Sequence, residues 1–267
     1  MKNTPKKPAY TLISITTNKA YYLLSKQLKN MFITAFTYAT VMQLLNLYFS
    51  NNISIGPNVS YTSEDILQIC LQLLAFLIPQ CFFTGLLILL VYSNKSKKNT
   101  KQNFSKMIHY VLRLLPSMIL CKILSSMLFL LFLIPIALMS INPTLSTIFT
   151  LIIIWFVFMI YPLLILYEPI IIFEQQLGAI SLKESFLKLK NKYFEAFMIL
   201  VIIILLNIMP NLLLHGIASN ITDSTIFGID KVLEIFINTL IHCCTVAILV
   251  AFYDTITNKH TIINKNK

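Results

Sequence analysis

Long apolar runs separated by short polar ones dominate the chain. A bilayer core of about 30 Å takes about 20 helical residues to cross. Six runs reach that length, at about 31–49, 66–92, 115–139, 145–166, 197–215 and 232–252. The third belongs to a longer apolar stretch, Tyr110–Met139. Each run is too long for a core strand, and backbone groups in lipid must be satisfied within a helix. The strands of a membrane barrel would alternate polar with apolar, whereas Leu151–Ile160 is apolar throughout. The pattern predicts an all-α membrane protein with six transmembrane helices in one polytopic domain, 1–267. Thirty residues precede the first run, and Leu47-Tyr48-Phe49 closes it where a signal peptide would place small residues. This predicts a retained N-terminus.

Composition narrows the class. Hydrophobic residues make up 57% of the 267 and charged ones 12%, with a mean hydropathy of +0.77. Soluble domains carry about 25% charged residues. So few polar residues cannot cover a water-facing surface, which excludes a soluble enzyme, a disordered tail and a secreted disulfide scaffold.

The net charge of +11 would suggest nucleic acid on a soluble chain. Its placement suggests something else. Nineteen of the 21 basic residues fall in four segments: residues 1–30, the stretch from Lys95 to Arg113, the stretch from Lys183 to Lys192, and the C-terminal tail. With six spans these segments share one side. The opposite loops hold only Lys231, beside Glu64, Asp65, Asp223 and Asp230. Positive loops stay in the cytoplasm. The expectation is a bacterial inner (cytoplasmic) membrane protein with both termini cytoplasmic. Its partners would be the bilayer, anionic lipids at the cytoplasmic face and other membrane proteins, with no nucleic acid.

A basic amphipathic stretch precedes each odd-numbered span. Tyr21, Leu24, Leu28 and Phe32 share one spacing with Phe186, Leu189, Tyr193 and Phe197. Met107, Tyr110, Leu114 and Met118 run in step with them. Residues so spaced line one helical face, and lysines on the remainder suit a helix lying in the membrane interface. The plan is three units, each an interfacial helix followed by two spans. In the third, Gly178 breaks the chain, and Ser181 with Glu184 reads as a capping box.

The third unit also carries a resemblance. It reads Tyr167-Glu168-Pro169-Ile170, Gly178, Ser181-Leu182-Lys183-Glu184-Ser185-Phe186, then Lys190-Asn191-Lys192-Tyr193-Phe194. This resembles the YciC family of multi-pass inner-membrane proteins, and is similar to the membrane portion beside some glycerophosphodiester phosphodiesterases. Phe186 stands where the family has Trp. Asn191 stands where it has Gly, and Asn is able to take the left-handed turn that Gly would make there. The resemblance implies a membrane location and supplies no catalytic residue.

Ionisable groups inside spans are the default functional candidates. Lys122 sits among Leu120, Cys121, Ile123 and Leu124. The expectation is that it lies a turn or two inside the interface and snorkels to the headgroups, with Glu168 or a substrate anion as the alternative partner. Glu168 and Asp254 are expected at the cytoplasmic interface, Glu174 nearby and Glu234 near the other face. Pro169 suggests a bend. Pro79, Pro116, Pro135, Pro162 and Pro210 fall in or near spans, and Pro79 with Gln80 and Gly85 is the best site for a kink. His242-Cys243-Cys244 are consecutive and point to different sides of a helix, so they cannot converge on one metal. Cys70, Cys81, Cys121, Cys243 and Cys244 read as small apolar groups.

Five glycines leave no phosphate-binding loop or dinucleotide fingerprint. The sequence therefore points to no catalytic, cofactor-binding or metal-ligating residue, and to no cofactor. The leading expectation is a non-enzymatic protein that contacts lipid or other membrane proteins. The alternatives are a transporter or permease subunit using kinked helices and Lys122, and a membrane enzyme acting on lipid headgroups near Glu168 and Glu174.

Overall fold

The structure, a computed structural model, describes residues 9–50, 63–93, 104–131, 135, 143–218 and 227–264. Among them there is no strand. The helices are α1 (Ala9–Ser50), α2 (Ser63–Ser93), α3 (Phe104–Leu130), α4 (Pro143–Leu164), α5 (Tyr167–Glu174), α6 (Ala179–Leu189), α7 (Tyr193–Ala218) and α8 (Phe227–Asn264). A 3₁₀ turn, Lys190–Lys192, joins α6 to α7. Six helical stretches are long and apolar enough to cross a membrane: 12–49, 71–91, 104–127, 143–174, 179–210 and 232–257. The chain is a multi-pass membrane protein. The expected third span ends at 139, beyond the described part of that helix.

The expected interfacial helices appear differently in each unit. No Gly or Pro lies between Pro8 and Gly56, so nothing stops α1 from running through interface and span as one helix. α3 likewise absorbs its basic start, with Pro116 inside it. Only the third unit has a separate helix, α6, because Gly178 starts it and the 3₁₀ turn ends it. The apolar stripes also differ. Met107, Leu114 and Met118 are buried as a set with Val111. Tyr21, Leu28 and Phe186 instead face outward, and α1 buries Leu12, Thr16, Ala20, Met31, Ala35 and Ala39.

That second stripe explains the closure of the bundle. α1 packs chiefly along α8 and secondarily on α2. Both ends of the chain thus meet. Helices in lipid gain little from hydrophobicity and associate through close packing of small residues. Ala20, Ala35 and Ala39 on α1, and Ala247 and Ala251 on α8, are such residues, and all are buried. Gly85 does the same between α2 and α3. A Cβ there would lie 2.9 Å from Val111 Cγ1 and 3.3 Å from Met118 Sδ.

The connection from α4 to α7 does not leave the bundle. Pro169 has no N–H for the carbonyl four residues back, and the helix breaks at Ile165-Leu166, between α4 and α5. The expected bend is there. Ser185 of α6 closes the break: its hydroxyl donates to the Leu163 carbonyl at 2.7 Å and accepts the Leu166 N–H at 3.2 Å. Ser185 is fully buried.

α6 is fixed on its other side through Gly178. This residue has φ +59° and ψ −142°, a region open essentially to glycine alone. Its N–H donates to Ser117 Oγ at 2.6 Å, and its carbonyl accepts from Cys121 Sγ and Ser181 Oγ. The capping box is therefore not formed. Ser181 lies inside the first turn, and Gly178 caps α6 without a side-chain bond. Nor does Asn191 make a left-handed turn. It sits in the 3₁₀ turn, and the left-handed residue of this connection is Gln175, at φ 54°.

Candidate functional site

The break after α4 carries Glu168 inward. Glu168 begins the second residue of α5 and is buried, 9% exposed. Its Oε1 accepts the Tyr167 hydroxyl at 3.1 Å and lies 3.6 Å from Lys122 Nζ on α3. Lys122 thus has the alternative partner, Glu168. The lysine stands eighteen residues past Phe104, which is about 27 Å along the helix, and it faces the interior.

The pair borders a cavity of about 210 Å³. Six helices contribute walls. α2 supplies Gln80 and Thr84, α3 supplies Lys122 and Ser125, and α4 supplies Tyr161. α5 adds Tyr167 and Glu168, α7 adds Asn207, and α8 adds His242 and Thr245. Leu164, Ile165, Leu200, Ile203, Val246 and Leu249 complete the lining. Gln80 and Thr84 lie in the middle of the second span, and His242 to Leu249 in the middle of the sixth. The cavity is therefore central in the bundle.

Some of its polar groups are occupied by the protein itself. Ser125 Oγ donates to the Lys122 carbonyl at 2.9 Å, and Asn207 Nδ2 donates to the Ile203 carbonyl at 2.7 Å. Others are not. His242 Nε2 and Thr245 Oγ1 are buried and have no hydrogen-bond partner. The His242 ring is stacked on Tyr38 of α1, with centroids 4.7 Å apart and planes at 29°. Buried polar atoms nearly always have partners. Both residues line the cavity, with these two atoms buried behind its accessible surface.

A second polar cluster lies nearer the lysine-rich end. Glu174 closes α5, six residues and about 9 Å beyond Glu168. Lys188 Nζ of α6 contacts both its oxygens, at 2.6 and 2.7 Å, and the Tyr253 hydroxyl of α8 donates to Oε1 at 2.7 Å. Next to Tyr253, Asp254 pairs with Lys19 of α1. These bonds tie α1, α5, α6 and α8 together beneath the cavity. Lys188 also lines a groove of about 440 Å³ with Asn191, Lys192 and Thr257.

The residues singled out in the sequence are thus partly united. Lys122, Glu168 and Gln80 meet at one cavity. Glu168 and Glu174 do not form a carboxylate pair, because each is engaged by its own cation. Pro79 lies within α2 next to Gln80. His242, which the sequence sets beside Cys243 and Cys244, lies on the cavity wall. Among the described residues no group of three or more His, Cys, Asp or Glu could hold a metal ion. Tyr161, Tyr167, Thr84 and Thr245 gave no signal of their own. The chain matches no protein-family model, and no curated protein or solved structure matches it.

Proposed function

We propose that this chain is a transport protein of the bacterial inner membrane that receives a small polar solute in its central cavity. The observation that carries this reading is the Lys122–Glu168 pair on one cavity lined by six helices, with the unsatisfied His242 and Thr245 side chains beside it. Placing such groups away from water is expensive. A protein whose only work is contact with lipid has no use for them. At about 210 Å³ the cavity is below the 300–1,000 Å³ usual for drug-sized ligands, so its occupant is small. The helix break after α4 supports the same reading, since interrupted helices build mid-membrane sites in transporters. The lysine distribution supports cytoplasmic termini, which sets the Glu174–Lys188 and Lys19–Asp254 pairs on the cytoplasmic side of the cavity.

Contact with anionic lipid is a second reading, favoured by a separate observation. Lys26, Lys29, Lys106, Arg113, Lys183 and Lys190 are all exposed. They suit the negative headgroups of the cytoplasmic leaflet and are compatible with transport.

The transport reading is tested without knowing the solute. Proteoliposomes are loaded with the low-molecular-weight fraction of a uniformly ¹⁴C-labelled bacterial extract, and release of label is followed. The wild-type chain should release a component at least tenfold faster than the neutral variant Lys122→Met/Glu168→Gln. Equal release from the two would refute transport through this cavity.

A further inference from the structure

The charges on the cavity wall are balanced. Lys122 supplies one cation and Glu168 one carboxylate. A guest with a net charge would leave one ion uncompensated inside the membrane, where that is costly. A guest bearing both signs would not. The pair itself is also loose. Its 3.6 Å separation exceeds the 2.7–2.9 Å of a charge-assisted hydrogen bond, so each partner retains capacity for a closer one. Tyr167 steadies Glu168 from the side with its hydroxyl. His242 Nε2 and Thr245 Oγ1 wait without partners on α8.

From this geometry we propose that the cavity binds a small zwitterion of zero net charge. Its anionic group takes the Lys122 ammonium and its cationic group takes the Glu168 carboxylate, with His242 and Thr245 of α8 alongside. The same chemistry is found in a small amino acid and in a zwitterionic phospholipid headgroup. The size of the cavity, with room for about seven waters at about 30 Å³ each, favours the amino acid. The inference rests on the reading of the cavity as a solute site. It does not require that the solute be moved.

The test is thermal unfolding of the purified full chain in detergent. The probes are glycine, L-alanine, L-serine, L-proline and glycine betaine, with sn-glycero-3-phosphoethanolamine for the headgroup source. Acetate, lactate and ethylamine are the net-charged controls. At ten times its Kd a bound zwitterion should raise Tm by about 3–6 °C. The shift should exceed those of the controls, and Lys122→Met/Glu168→Gln should lose it. A shift from the amino acids assigns a free solute, and one from the glycerophosphodiester alone assigns a lipid headgroup; both support the site. Stabilisation by lactate or acetate alone, or by none of the zwitterions, would overturn it. So would a zwitterion shift that survives in the double variant. Binding of a zwitterion without release of label from proteoliposomes keeps the site and removes transport. Release of label by a chain that binds no zwitterion does the reverse.

Discussion

Lys122 and Glu168 come from helices that are far apart in sequence, and neither is stable alone where it lies. Removing one member of a buried ion pair strands the other and costs about 3–5 kcal/mol, whereas replacing both by apolar or neutral groups of similar size is often tolerated. Lys122 retains some exposure, 27% for its side chain against 12% for Glu168, which argues for the lower end. Lys122→Ala should therefore destabilise by about 3 kcal/mol, read from denaturant unfolding in mild detergent. Lys122→Met/Glu168→Gln should recover most of that loss. If the double variant is as unstable as the single one, the pair is not the source of the cost. The pair was half legible in the sequence. Lys122 announced itself as a lone charge in an apolar run, and Glu168 as a carboxylate at the end of another. What joined them was the break before Pro169, which turns α5 inward, and no local rule states where a broken helix will point. His242 was harder still. Beside two cysteines it invited the question of a metal, and its actual setting is supplied by Tyr38, 204 positions earlier.

Helices α2 and α3 meet at Gly85, and this contact is specific enough to test. The methyl group of Ala would press on Val111, a stiff β-branched side chain with no exposed surface. Ala favours the helix by about 1 kcal/mol over Gly, while overpacking costs about 1–3 kcal/mol. Gly85→Ala should lose up to about 2 kcal/mol, and Gly85→Leu more, because its added atoms have nowhere to go. Unfolding midpoints at or above the wild-type value for both would show that the helices can part without penalty. At this scale the apolar runs told most of the story, since each expected span falls largely within a helix over the described residues. The boundaries were less readable. The basic stretches before spans one and three resemble separate interfacial helices in sequence, yet α1 and α3 run through because nothing in them forces a stop. The capping box failed for a related reason. Ser181 has the right spacing, but its hydroxyl is drawn to the Gly178 carbonyl and to Cys121 of α3. A cap is local, and the competing partner was sixty residues away.

The whole molecule joins its two ends. α1 and α8 lie together, and the Lys19–Asp254 and Lys188–Glu174 pairs gather the first and third basic segments beside α8 at one end of the bundle. That arrangement is what an even number of spans requires, and it makes the orientation a single yes-or-no question. Positive loops are retained in the cytoplasm, so the end with the lysines should face inward. Labelling with a membrane-impermeant maleimide decides it. Lys98→Cys lies in the lysine-rich segment and Asn58→Cys in the loop between the first two spans. In intact cells Asn58→Cys should react and Lys98→Cys should react only after permeabilisation. Cys81, Cys121 and Cys243 are buried and Cys244 is half-buried, so the unaltered chain is labelled alongside to set the background in both conditions. The opposite pattern would put both termini outside. It would then turn the Glu174 and Asp254 pairs into an outer closure of the cavity, and solute would reach Lys122 and Glu168 first from the cytoplasm, past the acidic loops.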